Sequence, residues 1–333
     1  MRQIEPGPRF PTMSRRRILA ALSALPSLAL AQPTGLQRPV MLIVPFAPGG
    51  GGDVLIRFVA QKLTLKLERP VVVENKPGAG AVVAASQVAR ASPDGSMLLV
   101  GSGSAFTITP HLNRTLPYDI FADFTHIGPV VKMPNVLIAR SGFEAGSVEQ
   151  LVALAKKKPG AITYASYGVG SPAHLVMEQL KRASGADMLH VPYKGGTEQV
   201  QALLGGQVDV AIDTLGAALP RIQAGQVKPI VLAQPQRTPL APEIPGFDDA
   251  GYRHVGLTPW MSLSGPARMP PAALDAISRA LRSVLDDPET QAKFAVLAAQ
   301  PWFLEPAPFV QYLHDESQQI GGLIRALNIN IQS

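Results

Sequence analysis

Short apolar runs alternate with longer amphipathic stretches along most of this chain. Val40–Val44 has the pattern of a buried strand and Val54–Leu67 has the apolar spacing of a helix, with a glycine-rich stretch, residues 45–53, between them. Two further runs, 70–74 and 97–101, repeat the strand pattern, and a second helical stretch separates them. Strand, helix, strand, helix, strand predicts right-handed crossovers and a parallel sheet.

The same alternation continues through the rest of the chain. Further strands are expected at 127–132, 136–140, 162–166, 187–191, 208–212, 228–233 and 261–264. The last three helices are expected at 272–285, 288–299 and 306–327. Ser147 and Ser171 are expected N-caps, and Pro172 suits a first helical position. Because glycine-rich corners recur at 167–171 and 192–197, we expect two α/β lobes with a cleft between them.

Glycine dominates the stretch that follows the first predicted strand. Gly49–Gly52 carry no Cβ, so a ligand can approach the backbone closely. The N–H groups that open the next helix are unpaired and lie at the positive end of its dipole, which favours an anion. The alternative is a tight turn without a ligand. In a parallel sheet the loops 45–53, 75–80 and 102–107 share the carboxyl edge, where ligands usually bind.

The N-terminal segment, residues 1–31, has the features of a secretory signal peptide. A basic segment, Arg15–Arg17, precedes an apolar run, Ile18–Leu30, that is too short to span a bilayer. Ala29–Ala31 has the small-x-small pattern of a cleavage site, so we expect export to the periplasm. The paired arginines leave both the Sec and the twin-arginine routes open. A membrane anchor is the alternative, and Met13 is a second candidate start.

Composition and charge narrow the possible functions. The chain has 333 residues, 46% of them hydrophobic and 16% charged, which is typical of a globular α/β protein. Residues 1–31 contain five Arg and one Glu, a net +4, so the rest carries only +2 of the total +6. Nucleic acid is therefore not an expected partner. There is no Cys, and no two of the six His have helical metal-site spacing, so neither a metal nor a cofactor is expected.

Several short motifs occur in an order that resembles one known family. They are Val44–Gly50 with Asp53 and Arg57, Pro70–Gly80, Ser92–Gly95, Leu116–Asp119, His190–Gly195 and Leu203–Val208. Together they resemble the Bug-type extracytoplasmic solute receptors, the binding proteins of tripartite tricarboxylate transporters. The resemblance covers about residues 39–328.

The resemblance implies a two-lobed, type II periplasmic-binding-protein-like (Venus flytrap) α/β fold. The first lobe would comprise residues 32–133 and 256–333, and the second lobe residues 134–255. A monomeric receptor would capture a small carboxylate, or a related amide or aromatic acid, in the cleft and deliver it to the membrane transporter subunits. Closure is expected through a hinge at 132–135 and a return segment at 255–259.

The resemblance also implies which groups hold the carboxylate. In the family, backbone N–H groups do so, often through ordered water, and they correspond here to residues 46–50 and 168–171. The loop 104–107 and Asp213 match positions that line the family's cleft. The long glycine run and the bulky Tyr167 depart from the family pattern, which affects the expected ligand rather than the fold.

Each candidate side chain also has a structural explanation. Asp53 is expected to cap or open the first helix, and His174 to be packed or on the surface. Lys194, a cation in a cleft loop, would pair with a carboxylate or be solvated. Asp213 would either select a ligand that carries an N–H donor or cap the following helix.

The sequence thus predicts a ligand site without catalytic or metal-binding residues. Its expected members are Phe46, Ala47, Pro48, Gly49, Gly50, Ser104, Thr107, Tyr167, Gly168, Gly170, Ser171, Lys194 and Asp213. Phe46 and Tyr167 would flank an apolar ligand body or wall the cleft. An exported hydrolase-like enzyme is the main alternative, but the phosphate-loop, dinucleotide and G-x-S-x-G motifs are all missing. A sensor for a signalling receptor is a third possibility.

Overall fold

The computed structural model describes residues 38–113 and 115–329. The expected signal peptide, residues 1–31, and the question of the start residue lie outside the described residues. Within the described part, no helix combines the length and the apolar character that crossing a bilayer requires.

The described residues form eleven strands and ten α-helices. The strands are β1 Val40–Val44, β2 Val71–Asn75, β3 Met97–Ser102, β4 Phe124–Lys132, β5 Asn135–Arg140, β6 Thr163–Ser166, β7 Leu189–Pro192, β8 Val210–Thr214, β9 Val227–Leu232, β10 Trp260–Pro266 and β11 Gln300–Pro301. The helices are α1 Gly51–Leu67, α2 Val82–Ala89, α3 Thr109–Leu112, α4 Val148–Lys157, α5 Pro172–Ser184, α6 Gly196–Leu204, α7 Leu215–Gln223, α8 Pro271–Leu285, α9 Pro288–Val296 and α10 Pro306–Leu327. A 3-10 turn at Ala79–Ala81 follows β2, and a π-helical turn at Ser104–Ile108 follows β3.

The first sheet has six strands in the order β11-β4-β10-β3-β1-β2. β1 lies between β2 and β3 and is parallel to both, so the prediction for the first three strands is confirmed. β10 lies between β3 and β4 and is antiparallel to both. The complete sheet is therefore mixed, because a strand from late in the chain returns to its middle.

The second sheet has five strands in the order β7-β6-β8-β5-β9. β6 is parallel to β7 and to β8, whereas β5 is antiparallel to β8 and to β9. All five strands come from one continuous stretch, residues 135–232. We call each sheet with its covering helices the first and the second lobe.

Helices cover both faces of each sheet. Leu42 of β1 packs with Leu281 of α8 on one face of the first sheet, and its neighbour Ile43 packs with α2 and α10 on the other face. In the second sheet, Leu137 packs toward α4 and α5, and Val136 packs toward α6 and α7. This alternation follows from the period of two along a strand. Each fully buried side chain of this size stabilises the fold by about 1.5–3 kcal/mol.

The chain passes between the two sheets twice. β4 ends at Lys132 in the first sheet, and β5 begins at Asn135 in the second. The return runs through residues 233–259 into β10. The N–H of Met133 donates to the carbonyl oxygen of Pro259 at 2.8 Å, so the two crossings lie side by side.

Three local details differ from the sequence-based expectation. α1 begins at Gly51 rather than at Val54, so the last two residues of Gly49–Gly52 form its first turn. The expected loop after β3 is a π-helical turn at Ser104–Ile108. The strand Gln300–Pro301 was not predicted, because two residues are too short to show a period.

Candidate functional site

The loop between β1 and α1, residues 45–50, contains Gly49 and Gly50, and we call it the first corner. Gly50 is the N-cap of α1 in an extended conformation, with φ −76° and ψ 165°. Gly49 has a φ of +88°, a region that favours glycine. A Cβ added at Gly49, Gly50 or Gly51 would meet no atom within 4 Å. The backbone of the first corner is therefore open to close approach.

Asp53 braces the first corner from the first turn of α1. Its Oδ2 accepts hydrogen bonds from the Gly49 N–H at 2.9 Å and from Arg57 Nε at 2.8 Å, and its Oδ1 accepts from Asn75 Nδ2 at 2.8 Å. Burial by itself would raise the pKa of Asp53, but hydrogen bonds from Arg57, Gly49 and Asn75 outweigh it, and the net shift is downward. Asp53 lies in the first turn of the helix, as expected. Its carboxylate also accepts the hydrogen bond of the Gly49 N–H, which was expected to face a ligand.

Other N–H donors remain unpaired at the first corner. Those of Phe46, Ala47, Gly50 and the first three residues of α1, Gly51–Asp53, make no hydrogen bond to any described residue. Pro48 is exposed and has no N–H to offer. The Phe46 ring is half-buried against Gly52, where a Cβ would lie 3.4 Å from the ring. The first corner thus combines free donors with an aromatic support.

The loop between β6 and α5, residues 167–171, is the second corner. Ser171 caps α5 as predicted, since its Oγ accepts from the His174 N–H at 3.3 Å and donates to the Gly168 carbonyl oxygen at 2.7 Å. Gly168 and Gly170 have φ values of +118° and +77°, which explains the two glycines.

Three expected donors of the second corner are already used within the protein. The Gly168 N–H donates to Ser166 Oγ at 3.2 Å, and the Gly170 N–H donates to His174 Nδ1 at 3.2 Å. The Ser171 N–H donates to the Gly168 carbonyl oxygen at 3.2 Å. In this conformation the second corner offers fewer backbone donors than the glycine pattern implies. His174 is packed, as expected, but its contact with Gly170 was not foreseen.

Asp213 lies near the carboxyl end of β8 and is 6% exposed. Its Oδ1 accepts from the Thr214 N–H at 2.8 Å, and its Oδ2 is buried without a hydrogen-bond partner among the described residues. The Arg221 guanidinium lies 3.9 Å from this oxygen. Burial raises the pKa of Asp213 to about 6, although Thr214 and Arg221 lower it. Thr214 occupies the N-cap of α7, so the helix-cap explanation for Asp213 is wrong.

Tyr167 of the second corner is tied to β5. Its hydroxyl oxygen accepts from Asn135 Nδ2 at 3.0 Å, and the amide oxygen of Asn135 is buried without a partner among the described residues. Burial raises the pKa of Tyr167 to about 12, against the Asn135 hydrogen bond, and the nearby Asp213 carboxyl adds to the rise. A second unpaired acceptor therefore lies in the same part of the second lobe as Asp213.

Ser104 and Thr107 line a pocket that is shared by both lobes. Its walls are Ser102, Gly103, Ser104, Thr107, Ile108, Pro172, Leu257, Thr258, Pro259, Trp260, Glu316 and Ile320. Thr107 is buried, and its hydroxyl donates to the Gly103 carbonyl oxygen at 2.9 Å. Because Pro172 directly follows the second corner, that corner lies next to the end of β3.

Sequence reasoning missed Trp260 and Glu316 in this pocket. Trp260 Nε1 donates to both Glu316 carboxylate oxygens, at 2.9 and 3.0 Å, and the Tyr312 hydroxyl donates at 2.6 Å. Burial raises the pKa of Glu316 against these hydrogen bonds. The Tyr312–Glu316 pair, one helical turn apart, was the available signal.

Lys194 lies apart from these contacts. Its side chain is exposed and forms no ion pair with a described residue, while its backbone N–H donates to Glu198 Oε2 at 3.2 Å. The geometry favours the solvated alternative for this cation. Among the described residues, no group of three or more His, Asp or Glu is arranged to hold a metal ion.

Comparison with known proteins supports the family resemblance directly. Residues 55–329 match the model of the tripartite tricarboxylate transporter family receptor. A UPF0065 protein of Bordetella pertussis is 34% identical over 321 residues, which cover 96% of this chain and 99% of that protein. Protein BugT of the same organism is 31% identical over 319 residues, with 94% and 98% coverage.

Solved structures share the fold along nearly their whole length. The periplasmic binding protein BugD matches with a TM-score of 0.80 and 32% identity, over 89% of this chain and 99% of that chain. Rpa4515 of Rhodopseudomonas palustris with adipate matches with a TM-score of 0.83 and 26% identity, with the same coverage. MatC of the same organism with bound malate matches with a TM-score of 0.78 and 28% identity, over 87% of this chain and 99% of that chain. The expected two-lobed fold is confirmed. The chain therefore belongs to the receptors of the tripartite tricarboxylate transporter family, and it is a solute-binding receptor rather than an enzyme.

Proposed function

We propose that this receptor binds a small carboxylate in the cleft between the first and second corners and delivers it to the membrane subunits of a tripartite transporter. The observation that carries the proposal is the set of free N–H donors at the first corner. The donors of Gly50 and the first residues of α1 lie at the N-terminus of this helix of 17 residues, where its dipole favours an anion. Two relatives with this fold were solved with dicarboxylates, adipate and malate.

The second lobe is suited to the other end of the ligand. Asp213 Oδ2 and Asn135 Oδ1 are both buried without a partner among the described residues. A buried acceptor without a hydrogen bond costs about 1–3 kcal/mol, which a ligand with an N–H or O–H donor would offset. We therefore propose a small acid that also carries an amide, ammonium or hydroxyl group.

The proposal extends to how the receptor works as a whole. The lobes would divide at residues 133/134 and 255/256, a division supported by the membership of the two sheets. After removal of residues 1–31, the chain would act in the periplasm as a monomer. Lys194 and the exposed residues of the corners would contact the ligand only through water or after closure of the cleft.

A binding screen tests the proposed function. We expect adipate, malate or their monoamides to raise the melting temperature and to bind one to one by calorimetry, with no product detected afterwards. Gly50→Leu fits the open space at the first corner and should fold normally but lose binding. Gly142→Leu, at a glycine with comparable space in a turn outside the site, is the matched control.

Three results would contradict the proposal. They are chemical turnover of a bound acid, no binding of any acid or acid amide, and unchanged binding by Gly50→Leu.

A further inference from the structure

Two stacked histidine rings lie beneath the second corner. His174 of α5 and His190 of β7 have ring centroids 4.2 Å apart, with an angle of 21° between the ring planes. The Tyr164 ring of β6 is stacked with His190 at a centroid distance of 4.8 Å and lies 6.5 Å from the His174 ring. His174 is 7% exposed, so this stack is part of the interior that supports the corner.

His174 makes the contact that depends on its protonation state. Its Nδ1 accepts the Gly170 N–H at 3.2 Å, and Gly170 is buried with a φ of +77°. An imidazole nitrogen accepts a hydrogen bond only when it carries no proton. The contact therefore requires a neutral His174 ring with its proton on Nε2, since the charged ring has two donors and no acceptor.

His190 supports the same corner without this requirement. Its Nε2 lies 2.7 Å from Ser166 Oγ, which accepts the Gly168 N–H at 3.2 Å and lies 3.0 Å from the Gly168 carbonyl oxygen. The serine hydroxyl can donate to a neutral His190, or it can accept from a charged His190 and donate to Gly168 instead. Both states of His190 are compatible with the observed geometry.

The charged and titratable groups around His174 come from four elements. On α5 itself, Glu178 accepts from the Tyr164 hydroxyl of β6 at 2.6 Å and from Lys181 at 2.8 Å. His190 faces the ring from β7. From α10, Glu316 lines the pocket beside Pro172, and its carboxylate is engaged by Trp260 and Tyr312.

This environment favours the neutral rings. Burial lowers the pKa of His174, with Glu178 opposing the shift and Lys181 adding to it. Burial also lowers the pKa of His190 to about 4, and the neighbouring His174 lowers it further. A lowered histidine pKa stabilises the folded chain above the ordinary value of about 6.5, and this stabilisation is lost as the pH falls.

We propose that His174 is a positioning residue for the second corner, and that the neutral ring holds the Gly170 peptide in its observed orientation. When His174 takes up a proton at Nδ1, the buried Gly170 N–H loses its acceptor and faces a donor instead. The backbone of the second corner then changes conformation between Gly168 and Gly170, and carboxylate binding becomes weaker at acidic pH. The binding part of this inference rests on the proposed function, whereas the conformational part does not.

Nitrogen-15 NMR of the full chain tests the conformational part without a ligand. At about pH 7.5 we expect the Nδ1 resonance of His174 in the range of an unprotonated nitrogen. On titration toward about pH 5, the Gly170 amide should shift together with protonation of His174. The proposal is overturned if Nδ1 carries a proton at neutral pH. It is also overturned if the chemical shifts of the Gly170 amide do not change while His174 takes up its proton.

Two substitutions separate positioning from general damage. In His174→Asn the side-chain oxygen replaces Nδ1 as an acceptor and does not titrate, so the Gly170 amide should keep its position and become insensitive to pH. In His174→Leu the acceptor is missing, and the amide should be displaced already at neutral pH. If the Gly170 amide has the same chemical shifts in these two variants, the proposal is overturned. This comparison holds even if the wild-type chain unfolds before His174 titrates. His190→Gln is the control, because it keeps a polar group near Ser166 and should leave the His174 titration in place.

Calorimetry with malate, which carries a hydroxyl group, tests the binding part. We expect the Kd of the wild-type chain to rise about tenfold between about pH 7.5 and pH 5. Malate takes up protons in the same range, so the wild-type chain is compared with His174→Asn under the same conditions, and the difference between them reports the titration of the His174 ring. Equal pH dependence in both proteins contradicts control of binding by His174. If neither malate nor any other acid of the binding screen binds either protein, the proposed ligand class fails, but the NMR result still decides the role of His174.

Discussion

At the scale of single residues, Asp213 has properties that do not suit a purely structural role. It is buried, and one of its oxygens has no hydrogen-bond partner among the described residues. Burial raises its pKa to about 6, so the folded chain binds a proton here more tightly than the unfolded chain does. Asp213 therefore destabilises the fold increasingly as the pH rises from about 4 to about 6. Such a cost is typical of residues that are kept for function.

Asp213→Asn should stabilise the chain in the absence of ligand. The amide keeps an acceptor for the Thr214 N–H and removes a buried charge. We expect a gain of roughly 1–3 kcal/mol at neutral pH, vanishing below about pH 4, where the wild-type carboxyl is protonated in both states. Urea unfolding between about pH 4 and pH 8 measures this difference.

The same variant, and Asp213→Ala beside it, should change ligand choice more than fold stability. Acids with an ammonium or amide donor should lose affinity, while simple dicarboxylates should not. Parallel losses of stability and of all binding would show that Asp213 serves the fold instead.

The sequence identified the corner residues but could not show which of their donors are free. Gly49 and Gly170 were both expected to face a ligand, yet Asp53 and His174 occupy their N–H groups. A side chain four residues further along each helix reaches back to the loop in both cases. The four-residue spacing is visible in the sequence. Whether the side chain accepts the hydrogen bond depends on its rotamer, and the rotamer depends on packing.

At the scale of elements, two helices with the same cap have different surroundings. Ser147 caps α4 and Ser171 caps α5, and each hydroxyl accepts from an N–H three residues later at 3.3 Å. Only Ser171 also belongs to a glycine corner, where it donates to the Gly168 carbonyl oxygen at 2.7 Å. Substitutions at these two serines can therefore distinguish the stability contributed by an N-cap from a role of the second corner in binding.

Ser147→Ala and Ser171→Ala should each cost about 0.5–2 kcal/mol of stability, the usual value of an N-cap. Only Ser171→Ala should also weaken acid binding, because it releases the second corner. Denaturant unfolding and calorimetry on both variants measure the two effects. Equal binding by both would limit Ser171 to its capping role.

Most elements could be predicted from periodicity, and the misses have physical causes. The sequence placed α10 at 306–327, where it lies, because a proline opens it and the apolar spacing continues throughout. The start of α1 at Gly51 was missed because glycine has a low helix propensity. There the extended Gly50 and the contacts of Asp53 fix the first turn despite that propensity. The Trp260–Glu316 contact joins residues 56 apart, which no local pattern reports.

At the scale of the whole molecule, two crossing segments connect the lobes, and Leu175 of α5 also packs with Ile320 and Ile324 of α10. The Met133 N–H to Pro259 hydrogen bond joins the two segments, and the Leu257 N–H donates to the Ala233 carbonyl oxygen at 3.0 Å. We predict that the lobes close over a bound acid by rotation about these segments.

Small-angle scattering tests this closure. Saturating malate should reduce the radius of gyration of the wild-type chain and leave that of Gly50→Leu unchanged. Unchanged compactness of the wild-type chain, with binding demonstrated in the same sample, would count against the hinge.

The position of β10 has a consequence for the order in which the molecule can assemble. Synthesis proceeds from the N-terminus, and β10 lies between β3 and β4, so the first sheet remains in separate pieces until residue 266 has been made. Residues 135–232 already contain every strand of the second sheet. The second sheet can therefore form while the edge of β3 is still uncovered. An uncovered edge strand pairs readily with other chains, so this edge is where a nascent chain most needs protection.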